Sequence, residues 1–227
     1  MIIADRKEFY KNNLNQFIKD KNSRILVIGS GELDKIIFQE LGYKNFTLSN
    51  INNNDNILDC IHQNSYNLNI SDEEYDYCVA HACIHHSSKP HNSLLEMYRV
   101  SKKGILIIEA NDSLIIRIAC KLGISEDYEI SAIKKNVNFG GVDNTGVPNY
   151  VFRWTEKEIF KLFNSYKPEI EHNIIFNYSF HFKFFKSVAI NLLLTIFFFF
   201  FKKQGNLMSI FINKDKKYIN YKNWYKI

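Results

Sequence analysis

Residues 24–50 read RILVIGSGELDKIIFQELGYKNFTLSN. A short apolar run, Ile25 to Ile28, stops at Gly29-Ser30-Gly31. Apolar residues then recur at helical spacing, Ile36, Ile37 and Leu41, before Gly42 and a second strand-like run, Phe46 to Leu48. Strand, glycine turn, helix and strand in that order make half of a mononucleotide-binding α/β unit. Glycines let backbone N–H groups approach a ligand closely, and the helix start behind them favours negative charge. A nucleotide-like cofactor is therefore expected across this turn. The third glycine of a full G-x-G-x-x-G is absent, and Asp34 stands there.

Outward from that unit, strand and helix patterns alternate. Ala4 to Lys21 is expected as an amphipathic helix, with Ile57-Leu58 as a short third strand. Tyr75 to Ala80 reads as a fourth strand, Pro90 to Val100 as a helix, and Ile105 to Ile108 as a fifth strand closing on Glu109. This alternation predicts a parallel, doubly wound sheet. Ser113 to Leu122 and Tyr128 to Lys135 read as helices, and Asn136 to Tyr150 as a loop. Thr155 is placed to cap a further helix, with Glu156 and Glu158 in its first turn. Ile170 to Phe180 and Leu207 to Ile212 read as the last two strands.

The chain has 227 residues, 46% hydrophobic and 23% charged, which suits one domain with a real core. The subdivision expected is an N-terminal helix over 1–21, a cofactor-binding half over 22–110, a substrate-side part over 111–165, and terminal strands over 166–227. Net charge is +5, with basic residues scattered, so no nucleic-acid stripe is evident. The four cysteines form no C-x-x-C pair and are read as reduced thiols of a cytosolic protein; no signal peptide is read at the N-terminus.

One segment stands apart. Phe184 to Lys203 holds an unbroken apolar run, Leu192 to Phe201, relieved only by Thr195 and flanked by Lys183, Lys186, Lys202 and Lys203. The apolar stretch is roughly 14 residues, short of the about 20 that span a bilayer. Two readings remain: a helix lying in a membrane interface, at the inner face of the membrane, or one buried against the sheet or in a dimer contact.

The most specific stretch is Tyr75 to Ala110, YDYCVAHACIHHSSKPHNSLLEMYRVSKKGILIIEA. It supplies an aromatic-Asp pair (Tyr75-Asp76), Ile84-His85-His86, Pro90, Glu96-x-x-Arg99-Val100 and, before the next strand, Lys103-Gly104. In these features the chain resembles class I S-adenosylmethionine-dependent methyltransferases of the broad "type 11" group, over about residues 24 to 165. The resemblance implies a Rossmann-like sheet of seven strands, mostly parallel with an antiparallel last strand, and helices on both faces. It also implies S-adenosylmethionine as cofactor. Carried over residue by residue, it implies cofactor contacts from Gly29, Ser30, Gly31, Asp34, Asn50, Asn64, Ser65, His81 and Ala82. Three usual acids are missing: Val27 stands before the first glycine, Asn50 at the ribose position, and Asn64 at the adenine position, with Asp59 as its rival. The LSN ending of strand two is similar to a sub-branch associated with glycan-cluster methyltransferases.

An acceptor hydroxyl needs a base, and His85 and His86 fall on the loop that the family turns toward its substrate. Asn144, Asn149, Tyr150, Arg153 and Trp154 are the expected acceptor-pocket residues, amides and aromatics suiting a sugar ring and Arg153 an anion. No metal is expected, because no carboxylate or cysteine in the sequence visibly completes a ligand set with His81, His85, His86 and His91. The leading expectation is O-methylation of a small or lipid-linked saccharide-type acceptor, in glycan biosynthesis. The alternatives are a non-catalytic cofactor-binding module at a membrane surface and an NAD-dependent oxidoreductase, which predicts the missing acid and glycine.

Overall fold

The computed structural model describes residues 5–51, 59–130, 133, 139–181, 188–214 and 218–219. Seven strands form one sheet: β1 (Ile25–Ile28), β2 (Phe46–Asn50), β3 (Cys60–His62), β4 (Tyr75–His81), β5 (Ser101–Ala110), β6 (Asn173–Ser179) and β7 (Leu207–Asn213). Their order is β3-β2-β1-β4-β5-β7-β6. The pairs β2–β3, β1–β2, β1–β4 and β4–β5 are parallel, and β7 runs antiparallel to both β5 and β6. β1 is buried at every position, as a central strand covered on both faces must be.

Among the described residues six α-helices accompany the sheet: α1 (Arg6–Phe17), α2 (Glu32–Glu40), α3 (Pro90–Val100), α4 (Leu114–Lys121), α5 (Glu156–Tyr166) and α6 (Val188–Phe200). Tyr10 and Leu14 of α1 and Ile37 and Phe38 of α2 cover one face against Ile25, Val27, Val79 and Leu106. Leu94, Met97 and Tyr98 of α3 and Ile159 and Phe163 of α5 cover the other, against Leu26, Cys78, Ile105 and Ile107. Alternate residues of one strand thus feed opposite cores. Pro90 opens α3 at its first turn, where its missing N–H costs nothing. Thr155 caps α5 through a hydrogen bond from the Glu158 amide, 3.1 Å, as its sequence position predicts.

Several expectations need correction. The strand expected at Ile57-Leu58 lies outside the described residues, and β3 is formed by Cys60–His62 within what reads as polar loop. Tyr128, read as the start of a helix, instead bridges Tyr150 as an isolated antiparallel pair; residues 131–132 and 134–138 of that stretch lie outside the described residues. β5 begins at Ser101, because α3 passes into it without a loop. The apolar segment forms α6; among its described side chains only Phe198 is deeply buried, stacked on Phe180 with ring centroids 3.7 Å apart. Leu192, Leu193, Phe199 and Phe200 are all more than half exposed, so burial against the sheet accounts for little of the run. Residues 182–187 lie outside the described residues. Among the described residues no helix is long and apolar enough to cross a membrane.

Candidate active site

β1, β2 and β4 all deliver their carboxyl ends to one side of the sheet, where the strand order reverses between β1 and β4. Open α/β sheets leave a crevice there. The crevice measures about 550 Å³, within the range of small-molecule sites. Its inner wall is Ile28, Gly29, Asn50, Ile51, Gln63, Ser65, Ala82 and Cys83; its outer wall is His86, Ser87, Glu129, Gly140, Gly141, Asp143 and Asn144.

The glycine turn is built by close approach. Gly29 has φ +58°, and a Cβ there would stand 2.6 Å from the Cβ of Cys83. The Cys83 thiol donates to the Ile28 carbonyl at 3.2 Å, locking the β4 loop over the turn. Burial pushes that thiol well above its ordinary pKa, so it is an inert packing group. Ser30 is turned inward, its hydroxyl bonded to the Ser49 carbonyl at 3.2 Å. Asp34 accepts the Gly31 amide at 2.9 Å in a reciprocal cap of α2. It is buried and outside the crevice lining. Gly31 differs: a Cβ there would meet nothing within 4 Å. The Asn50 amide donates to the Ser30 carbonyl at 3.0 Å at the lip of the crevice.

Beyond β3, the structure lines the crevice with Gln63 and Ser65, and the Asn64 oxygen accepts the Tyr66 amide at 3.2 Å in a local turn. Gln63 escapes the sequence reading because the register of that loop is set by β3, which the pattern does not reveal. Ser65 bonds Ser93 of α3 at 2.9 Å. Ala82 has φ +50° and turns the chain out of β4. His81 faces a smaller cavity of about 220 Å³ behind the crevice, stacked on Tyr10. Burial pushes His81 down to about 4, and its buried Nε2 has no partner.

Glu109, at the end of β5, is fully buried. One of its oxygens accepts the Cys83 and Ile84 amides at 2.8 and 2.7 Å, and the other pairs with His85 Nδ1 at 2.6 Å. Burial by itself would lower His85; the Glu109 charge overrides it and, with Glu129, raises the imidazole to about 10. A protonated ring held by two carboxylates cannot take a proton, which corrects the expectation of His85 as a base. His86 is half-buried and faces the crevice; burial and the neighbouring His85 charge lower it, so it stays neutral near pH 7. Glu129 lies 3.4 Å from His86 Nε2 and 3.6 Å from His85 Nε2. The His85 imidazolium holds it down to about 2.

Of the expected acceptor residues, only Asn144 lines the crevice, held with φ +60° beside Asp143. Asn149 is buried and donates to Glu129 at 3.2 Å, so it orients a crevice residue from behind. Tyr150 is exposed, edge-on to Tyr128. Arg153 is spent on Asp127 at 3.1 Å and on the Glu126 carbonyl. Trp154 is core, packed on Phe152 and His91. The aromatic and cationic members point away because this stretch runs beside the end of β5, where Trp154 bonds Ala110. Glu129 itself is missed by sequence reading, as nothing in the residues around it marks it.

Residues 40–108 match the model of the family described as "Methyltransferase domain". That match spans somewhat under a third of the chain, and over those residues the sequence is that of a methyltransferase domain. No curated protein matches this chain. Its fold recurs in solved structures of low sequence identity. One is an S-adenosylmethionine-dependent methyltransferase of Thermotoga maritima, possibly a histamine N-methyltransferase: 16% identity, 92% of both chains, TM-score 0.51. A putative methyltransferase of Haloferax volcanii in complex with its Trm112 activator gives 9% identity, 95% of this chain and 91% of that one, TM-score 0.59. The magnesium protoporphyrin IX methyltransferase of Synechocystis PCC 6803, with bound S-adenosylhomocysteine, gives 10%, 92% and 82%, TM-score 0.53. The inner wall is of a kind that suits S-adenosylmethionine. Gly29 lines the crevice floor, Asn50 stands at the lip, and Gln63, Ser65 and Ile51 flank the part nearest β3; Gly31, expected as a contact, lies next to the lining with open space at its Cβ position.

Proposed function

We propose that the methyltransferase transfers the methyl group to an oxygen of a polar, saccharide-type acceptor held against the outer wall. The observation that carries this is the edge formed by His86 and Glu129, with Ser87, Asp143, Asn144 and the Gly140-Gly141 backbone around it. These groups donate and accept hydrogen bonds in several directions, as a polyhydroxylated molecule requires. The described crevice lining contains no aromatic ring besides the His86 imidazole, so a flat aromatic acceptor finds little to stack on.

S-adenosylmethionine, when bound, supplies a sulfonium methyl that needs no further activation. Gly29 and Asn50, with Gln63 and Ser65 beyond and the turn at Gly31 beside them, are the residues that would hold it. The acceptor oxygen is aligned by Asn144 and Ser87, and in-line placement is worth several kcal/mol. Its proton leaves at the His86–Glu129 edge, where a neutral imidazole and an ionised carboxylate face the crevice. Incubation with labelled donor and a panel of sugars, phenols and amines tests the acceptor class. Label in sugars, lost at least tenfold in Glu129→Gln, is expected; label in amines or phenols alone contradicts it.

A lipid-linked form of that acceptor is favoured by α6. Its exposed Leu192, Leu193, Phe199 and Phe200 are bordered by Lys202 and Lys203 at its end, the pattern of a helix resting on an anionic membrane surface.

A further inference from the structure

We propose that His85, His86 and Glu129 form a divalent-metal site at the outer wall of the crevice. Each offers one ligand atom, and these atoms lie within 4.8 Å of one another. The two imidazole Nε2 atoms stand 3.6 and 3.4 Å from the same Glu129 oxygen. A tetrahedral ion with bonds near 2.1 Å spaces its ligands about 3.4 Å apart, so little movement is needed to close the site. Two histidines and one carboxylate leave a coordination position open, and His86 and Glu129 turn that position toward the crevice.

The surroundings are those of a built site. The Nδ1 of His85 is bonded to Glu109 at 2.6 Å, which aims its Nε2 at the other two ligands; an ion bound there displaces the Nε2 proton to solvent while Nδ1–H stays on Glu109. Glu109 is itself fixed by the Cys83 and Ile84 amides. Asn149 donates to Glu129 at 3.2 Å and fixes its rotamer. Carboxylate–histidine–metal relays of this form set tautomer and ring direction in metal sites. The nitrogen-and-oxygen set suits a first-row transition ion of the zinc or cobalt kind. The sequence reading excluded a metal because it lacked a carboxylate; the fold brings Glu129 to supply it.

The ion deepens the reading above and rests on it for the position of the acceptor. The acceptor hydroxyl oxygen binds at the open position, and the ion draws charge from it so that the O–H proton leaves to water. The oxygen pair then forms the bond to the methyl carbon as the S–C bond breaks, its electrons returning to sulfur as the neutral thioether. His86 and Glu129 act here as ligands, and the ion takes over the work of lowering the hydroxyl pKa.

Metal-free protein titrated with Co²⁺ tests the site without any acceptor. One equivalent should bind with visible ligand-field absorption, and both His86→Ala and Glu129→Gln should bind at least tenfold more weakly. His86 and Glu129 are each about one-third exposed, so both variants should keep the parent melting temperature within a few degrees. Binding of S-adenosylmethionine in the same samples separates a failed metal site from a failed donor site. No stoichiometric Co²⁺ binding, or parent-like binding by both folded variants, overturns the proposal.

Discussion

Glu109 occupies the end of β5 with no solvent contact and satisfies three donors at once: two amides of the turn after β4 and the His85 ring. Its removal strands all three. Glu109→Ala should therefore cost about 3–5 kcal/mol, measured as a lower urea midpoint. A loss under about 1 kcal/mol would mean the turn is held by something else. His81 gives a second prediction, with a sign. Burial lowers it to about 4 from an ordinary 6.5, so below pH 6.5 the unfolded chain takes up a proton that the folded chain refuses. Stability should be fully present above pH 6.5 and fall by about 1.4 kcal/mol per pH unit toward pH 4. Urea midpoints of the parent should drop more steeply across that window than those of His81→Gln; equal slopes contradict the assignment. The sequence shows His81, His85 and His86 as a cluster but not their division of labour. One is buried neutral, one is locked by a carboxylate, and one faces the crevice, and Glu109, Tyr10 and Glu129 decide this from elsewhere in the chain.

At the scale of elements, β1, α2 and α3 were legible because local signals agreed. Apolar runs end at glycine or proline, and caps such as Thr155 sit where the pattern places them. β3 was not, since three residues with polar neighbours gain strand geometry only by pairing with β2. The acceptor residues divide on the same ground. Asn144 faces the crevice, but Trp154 and Arg153 were drawn into the core and onto Asp127 by the pairing of their segment beside β5. The helix α6 carries its own prediction. Its exposed apolar residues and lysine border should make the protein float with vesicles containing anionic lipid and less so with neutral ones. Leu193→Ser with Phe200→Ser, both at positions more than 60% exposed, should abolish flotation without lowering the melting temperature. Parent protein that stays in the soluble fraction contradicts membrane contact.

For the whole molecule, the seven-stranded, mostly parallel sheet with its antiparallel last strand β7 follows the resemblance, whose most specific part is residues 75–110. The inner wall of the crevice was largely visible in the sequence because it is made of backbone turns, which glycines mark. Of the outer wall, His86 and Asn144 were visible and the rest was not, because its members come from three separate stretches that only the closed sheet brings together. All of the chemistry assigned here requires that the inner wall hold the sulfonium donor against the turn at Gly29 and Gly31. Gly31 offers the cleanest test. Its backbone is extended, with φ −128°, and a Cβ there touches no protein atom within 4 Å. Alanine at this position should cost the fold no more than about 1 kcal/mol, the difference between glycine and alanine at a helix cap. Calorimetric titration of S-adenosylmethionine into the parent and Gly31→Ala should give one saturable site in the parent and at least tenfold weaker binding in the variant. Absence of binding to the parent, or equal affinity in the two, would contradict the account.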